Sequence, residues 1–132
     1  MNILVIDGMG GGIGKVIIEQ IKTTVDGAVI TAVGTNSIAT SVMLKAGAHN
    51  AATGENAVIY NAAKADYIIG VIGIIAANSM FGEVSPKMAA AVSSSPAHKI
   101  LIPIDKCNIT VVGVAPVPVQ MYISEIVKAI NG

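Results

Sequence analysis

The chain has 132 residues, 53% hydrophobic and 12% charged, with eight basic and eight acidic side chains and a net charge of zero. That length holds one domain, residues 1–132, and leaves no room for a second full one. The charge balance excludes the basic field that nucleic acid or an anionic membrane surface demands.

All eight basic residues are lysine. With no arginine there is no bidentate guanidinium clamp, so an anion must be held by backbone N–H groups, helix N-termini and lysines. So few charges must cover the surface that a further apolar face is expected to be hidden against another copy, most simply in a homodimer. The lone cysteine, Cys107, excludes an intrachain disulfide and fits a reducing compartment. The N-terminal apolar run has no basic region before it, so it does not read as a signal peptide, and a cytoplasmic protein is expected. An uncharged stretch from 107 to 124 resembles a membrane span, but Pro116, Pro118 and Gln120 favour a strand, a turn and a helix start.

In chain order, residues 2–7 are a continuous apolar run ending in Asp7-Gly8, as expected for a strand buried on both faces. Ile13, Val16, Ile17 and Ile21 then recur at helical spacing, with Glu19 and Lys22 outside. Residues 28–33 are a second strand. Thr35, Asn36 and Ser37 offer N-caps to a helix carrying Ile38, Val42 and Met43, and Gly47 suits its C-terminal end. Residues 48–65 hold a helix after Thr53-Gly54-Glu55, with a short strand before it left open. A buried strand is expected at 67–75 and a loop at 76–84. Ser85-Pro86 is a strong helix start. Strands at 99–104 and 109–114, joined by the polar turn 105–108, are expected to form an antiparallel edge hairpin, four residues being too few for a parallel crossover. Ile123, Ile126, Val127 and Ile130 mark the last helix. Alternating strands and helices predict a Rossmann-like three-layer α/β sandwich with a mainly parallel sheet.

The chemistry concentrates at Gly8-Met9-Gly10-Gly11-Gly12-Ile13-Gly14, where five of seven residues are glycine. A tight strand-to-helix turn needs one or two. More are needed where the backbone approaches a ligand and free N–H groups at a helix N-terminus receive a negative charge. The loop is not a Walker A motif: Met9 stands where its first glycine belongs, and Val16 replaces the magnesium-binding hydroxyl. Gly8-x-x-x-Gly12-Ile13-Gly14 resembles the glycine motif of short-chain dehydrogenases/reductases, which implies a nicotinamide cofactor, NAD or NADP. The acid that would hold the ribose is missing about 20 residues on, where Thr35 and Asn36 stand and can offer a hydrogen bond. Asp7 would repel a phosphate unless turned to a ribose hydroxyl, a loop N–H or a metal.

Other residues invite a catalytic reading. Tyr60 and Lys64 match the Tyr-x-x-x-Lys pair of the same reductases, yet they precede the strand at 67–75 where that family's pair follows the fifth strand. The match reads instead as coincidence, with Tyr60 a core or interface residue. His49 and His98 lack ligand-spaced partners, so no metal site is expected. Cys107 sits in the expected hairpin turn with no base nearby. Asn78-Ser79 and Gly82-Glu83 follow a strand at its carboxyl end and can border a pocket, with Thr53–Asn56 region residues as the opposite wall; capping alone also explains both.

The segments 7–14, 34–36, 43–48, 52–56 and 77–82 together resemble an uncharacterised family of small bacterial proteins, a domain of unknown function. The resemblance spans the chain and implies a stand-alone Rossmann-like protein, with no activity to transfer. The residues support a protein that binds a nucleotide-like molecule through Gly8, Gly10, Gly11, Gly12, Ile13, Gly14, Thr35, Asn36 and Asn78. Two alternatives stay open: a small oligomeric reductase or transferase, and a structural, partner-binding protein.

Overall fold

A computed structural model describes residues 1–104 and 108–132. β1 (Asn2–Asp7) lies at the centre of a five-stranded sheet with β2 (Val29–Gly34), β3 (Asn50–Thr53), β4 (Tyr67–Val71) and β5 (His98–Ile102) in the order β3-β2-β1-β4-β5. Every pairing is parallel: Leu4 lies opposite Thr31 on one side and Ile68 on the other, and Asp7 opposite Gly34. The order is that of a doubly wound α/β sheet, in which the chain runs outward from the centre in one direction and then the other.

Parallel neighbours need crossover connections, and helices supply them. Successive strand residues point to opposite faces, so each strand contributes to two cores. Ile3, Val5 and Ile69 pack with α1 (Gly12–Thr24), α2 (Ser37–Lys45) and α5 (Val119–Asn131) through Ile17, Ile21, Met43 and Ile126. Leu4, Ile6 and Ile68 pack on the other face with α3 (Glu55–Ala62) and α4 (Pro86–Ser94) through Val58, Met88 and Val92. Hence β1 is apolar from Ile3 to Ile6: both its faces are covered there. Each isoleucine so buried contributes roughly 1.5–3 kcal/mol. No helix among the described residues is long and apolar enough to cross a membrane.

Local chemistry sets the boundaries. The Asn36 side chain accepts from the Ala39 N–H at 2.9 Å and starts α2, and the Ser85 hydroxyl accepts from the Met88 N–H at 3.2 Å ahead of Pro86. Gly47, at φ 117°, follows the end of α2. The open question at 48–52 resolves as β3, and the expected strand at 67–75 ends at Val71, beyond which Ile72–Ile75 form a 3₁₀ turn.

The antiparallel edge hairpin does not form. β5 ends at Ile102, residues 109–114 belong to no strand, and the sheet is wholly parallel. Pro103 removes a backbone donor directly after β5, and Gly113, Pro116 and Pro118 interrupt the apolar run that resembles a strand. The chain instead delivers α5 to the face already occupied by α1, where Ile123, Ile126 and Ile130 are buried. Of the turn expected at 105–108, residues 105–107, Cys107 among them, lie outside the described residues.

Candidate functional site

From β1 the chain turns toward β2, and from β4 it turns toward β5, so the strand order reverses between the carboxyl ends of β1 and β4. In open α/β sheets this reversal leaves a crevice in which ligands bind. A cavity of about 600 Å³ occupies it, within the roughly 300–1,000 Å³ of small-molecule sites. Asp7 and residues 8–13 form one wall. Asn78, Ser79, Met80 and Phe81 form another, and Val71 and Ile104 complete the lining.

The glycines of the loop divide into two sets. At Gly8 a side chain would run into Thr35 Oγ1 at 2.5 Å, and at Gly14 into Met43 Sδ at 2.5 Å. Gly11 has φ +75°, and a Cβ there would lie 2.9 Å from the Ala39 backbone. These three are required by packing and by the turn that starts α1. At Gly10 and Gly12 a Cβ would meet nothing within 4 Å. Their lack of side chains serves no contact inside the fold; it keeps the cavity wall bare.

That bare wall presents donors. Gly11 N–H bonds the Gly8 carbonyl at 3.0 Å, closing the turn, and Lys15 N–H begins the helical ladder on Gly11. Gly14 N–H donates to Asp7 Oδ2 at 2.7 Å and Gly8 N–H to Asp7 Oδ1 at 2.8 Å. Among the described residues the N–H groups of Gly10, Gly12 and Ile13 meet no acceptor. Gly12 and Ile13 open α1, so their donors add to the positive end of the helix dipole. Asp7 is thus a buried strut of the loop. Burial pushes its carboxyl above the usual range, the Gly14 and Gly8 amides pull it back down, and the charge of Glu83 adds a smaller upward push.

Glu83 joins three loops at one oxygen. Its Oε1 accepts from Met9 N–H at 2.9 Å, Thr35 Oγ1 at 2.6 Å and Asn36 Nδ2 at 2.9 Å. The Thr35 hydroxyl, then the Met9 amide and the Asn36 amide, hold its carboxyl below the usual range against a small opposing effect of burial. Asn36 Nδ2 also reaches the Met9 carbonyl at 3.0 Å while its Oδ1 caps α2.

Of the residues selected from sequence, Gly8, Gly10, Gly11, Gly12, Ile13 and Asn78 line the cavity. Gly14 is packed behind it, and the polar groups of Thr35 and Asn36 are engaged by Glu83. Asn78 uses its backbone within its own loop, donating to Val84 at 2.7 Å, and its side chain has no partner among the described residues. Met80, Phe81, Val71 and Ile104 are lining residues that sequence reasoning did not select. A signal for Phe81 existed, namely the chain's only phenylalanine beside a glycine in a loop after a strand.

The other tempting residues lie elsewhere. Lys64 bonds the Tyr60 hydroxyl and sits 3.8 Å from its ring centroid on the exposed side of α3. Tyr60 borders a separate groove along β3. His49 accepts from Ile30 N–H through Nδ1 at 3.0 Å, and His98 meets Tyr67 edge to face. Both histidines sit at the amino ends of the strands, away from the crevice. Glu55 accepts from the Ser85 hydroxyl at 2.5 Å, tying the start of α3 to that of α4 rather than walling the cavity.

No curated protein and no solved structure matches this chain. One family does: residues 2–132 match the family described as "Domain of unknown function (DUF3842)", and the chain belongs to it.

Proposed function

We propose that the protein binds a small nucleotide-like molecule in the crevice, with an anionic group, most naturally a phosphate, on the Gly10, Gly12 and Ile13 N–H groups. One observation carries this reading: the two loop glycines that meet nothing inside the fold both line the cavity and have N–H groups with no acceptor among the described residues. Backbone N–H groups at a helix start are ready-made partners for such an anion. Among the described residues no lysine lines the cavity, in keeping with recognition by amides and dipole rather than by a cation.

A binding role is favoured over catalysis. The only ionisable side chain lining the cavity among the described residues is Asp7, and both its oxygens already accept N–H groups. Neither Tyr60 nor Lys64, the pair that would supply reductase chemistry, is among the residues lining this cavity, and Tyr60 borders a different groove.

Thermal unfolding against NAD(H), NADP(H), ATP, GTP, nucleoside monophosphates and inorganic phosphate tests the reading. A ligand at about 100 times its dissociation constant stabilises the fold by roughly 2.7 kcal/mol, worth several degrees for a domain of this size. The stabilisation is expected for at least one nucleotide and is expected to vanish in Gly12→Asp, which places a carboxylate among the donors. If no member of the panel raises the melting temperature, the reading fails.

A further inference from the structure

The loop after β4 holds an unusual ring. Phe81 is 98% exposed, and it is the chain's only phenylalanine. Single exposed apolar residues are common on protein surfaces, so exposure by itself means little. Here the backbone is also committed to the arrangement. Asn78, Met80 and Phe81 all have positive φ, at 66°, 57° and 56°. Residues with a Cβ rarely adopt that conformation, and clusters of it persist only where the surroundings impose it.

The surroundings do impose it. Asn78 N–H bonds Val84 O at 2.7 Å, Glu83 N–H bonds Met80 O at 3.1 Å, and the buried Ser79 hydroxyl bonds Gly73 O at 2.5 Å. Glu83 then fastens the end of the loop to Met9, Thr35 and Asn36. A loop tied at so many points carries Phe81 to the border of the same cavity whose opposite wall bears the free donors. Between them the lining is apolar at Val71, Met80 and Ile104. The cavity therefore has one end suited to an anion and another suited to an uncharged, flat group.

We propose that Phe81 is a specificity-determining residue of the crevice, a stacking platform that selects anions joined to a flat heteroaromatic ring, such as a nucleobase, over bare or aliphatic phosphates. The proposal rests on the anion site assigned above. It adds what that site does not specify, namely which part of the ligand is recognised at the other end.

Calorimetric titration separates the two. The probes are the nucleotide that most stabilises the wild type, ribose 5-phosphate and inorganic pyrophosphate, applied to the wild type, Phe81→Ala and Phe81→Tyr. Base stacking on an aromatic side chain is worth about tenfold or more in affinity. The wild type is expected to prefer the nucleotide over ribose 5-phosphate by that margin. Phe81→Ala is expected to lose the margin while holding the base-free probes unchanged, and Phe81→Tyr to keep it. Because the ring is exposed, both variants are expected to melt with the wild type. The proposal is overturned if Phe81→Ala weakens all probes equally or weakens none. A change of oligomeric state in Phe81→Ala would likewise overturn it, by making the ring a contact between copies. If pyrophosphate binds and Gly12→Asp abolishes it, yet nucleotides bind no better, the anion site stands and the stacking role alone fails. If no probe binds the wild type, both fail together.

Discussion

Glu83 shows how much a single oxygen can organise. Three donors from two other loops converge on its Oε1, and hydrogen bonds to an ionised acceptor are about twice as strong as neutral ones. The Thr35 hydroxyl is the main reason its carboxyl ionises below the usual range. A depressed folded-state pKa means that the contribution is fully present above the unfolded value, near 4.5, and is lost as pH falls through the lower folded one. Glu83→Gln keeps an acceptor but not the charge, so it is expected to destabilise by about 1 kcal/mol at neutral pH. It is also expected to flatten the acid limb of the stability profile below pH 4.5. Urea unfolding of both proteins across that limb checks this. An equal acid slope in the two would assign the loss to other carboxylates. None of this is legible locally: Glu83 lies 74 residues from Met9 and 48 from Thr35, and side-chain bonds over such separations leave no periodic or spacing signal. Asn36 and Thr35 were legible as polar groups at the tip of β2, but not as groups already taken.

At the scale of elements, the glycine loop makes the clearest experiment. Gly11→Ala places a Cβ 2.9 Å from the Ala39 backbone at φ +75° and is expected to destabilise by more than 1 kcal/mol, the range for side chains forced into left-handed backbone. Gly12→Ala, at the first helical position with open space around it, is expected to melt no lower than the wild type, since alanine favours helix over glycine by up to about 1 kcal/mol. Yet it crowds the donors and is expected to weaken anion binding. Melting curves and titrations on the two variants separate the structural from the ligand-facing glycines. If both variants melted alike, the division would be wrong. Sequence showed the loop's density and its place between β1 and α1, because glycine run and hydrophobic period are local. It did not show which glycine did what, because that depends on Ala39, Met43 and Thr35 arriving from β2 and α2. The same limit explains the lost hairpin. Residues 109–114 have the β-branched composition of a strand, but the face that competes for the following helix, built by α1, is not visible from within that segment.

For the whole molecule, the decisive quantity is charge. Net charge is zero with no arginine, no lysine among the described residues lines the crevice, and Asp7 lies in its wall. An anion bound there is held by amides and the α1 dipole and repelled by Asp7. Burial raises the Asp7 pKa, so the carboxyl takes up its proton above the ordinary value of 3.8 as pH falls from neutral. A bound anion favours the protonated form further, so by linkage binding draws in a proton and tightens as pH falls through that range. Glu83, depressed below its ordinary 4.5, is common to the wild type and Asp7→Asn, so the difference between their profiles isolates Asp7. The sign for folding agrees: a raised acid stabilises most below its unfolded pKa and loses that contribution as pH rises through the folded one. Affinity for a phosphodiester ligand, whose own charge is constant, is expected to rise as pH falls from neutral toward 3.8 in the wild type and to rise less in Asp7→Asn. Asp7→Asn sets its amide group against a loop N–H that now finds a carboxylate oxygen, at a cost of about 1–3 kcal/mol, so its fold must be verified by melting before titration. A level profile in the wild type would mean that the anion sits too far from Asp7 to feel it. The donors of Gly10, Gly12 and Ile13 would then not be its seat, since Asp7 bonds the neighbouring Gly8 and Gly14 amides of the same loop.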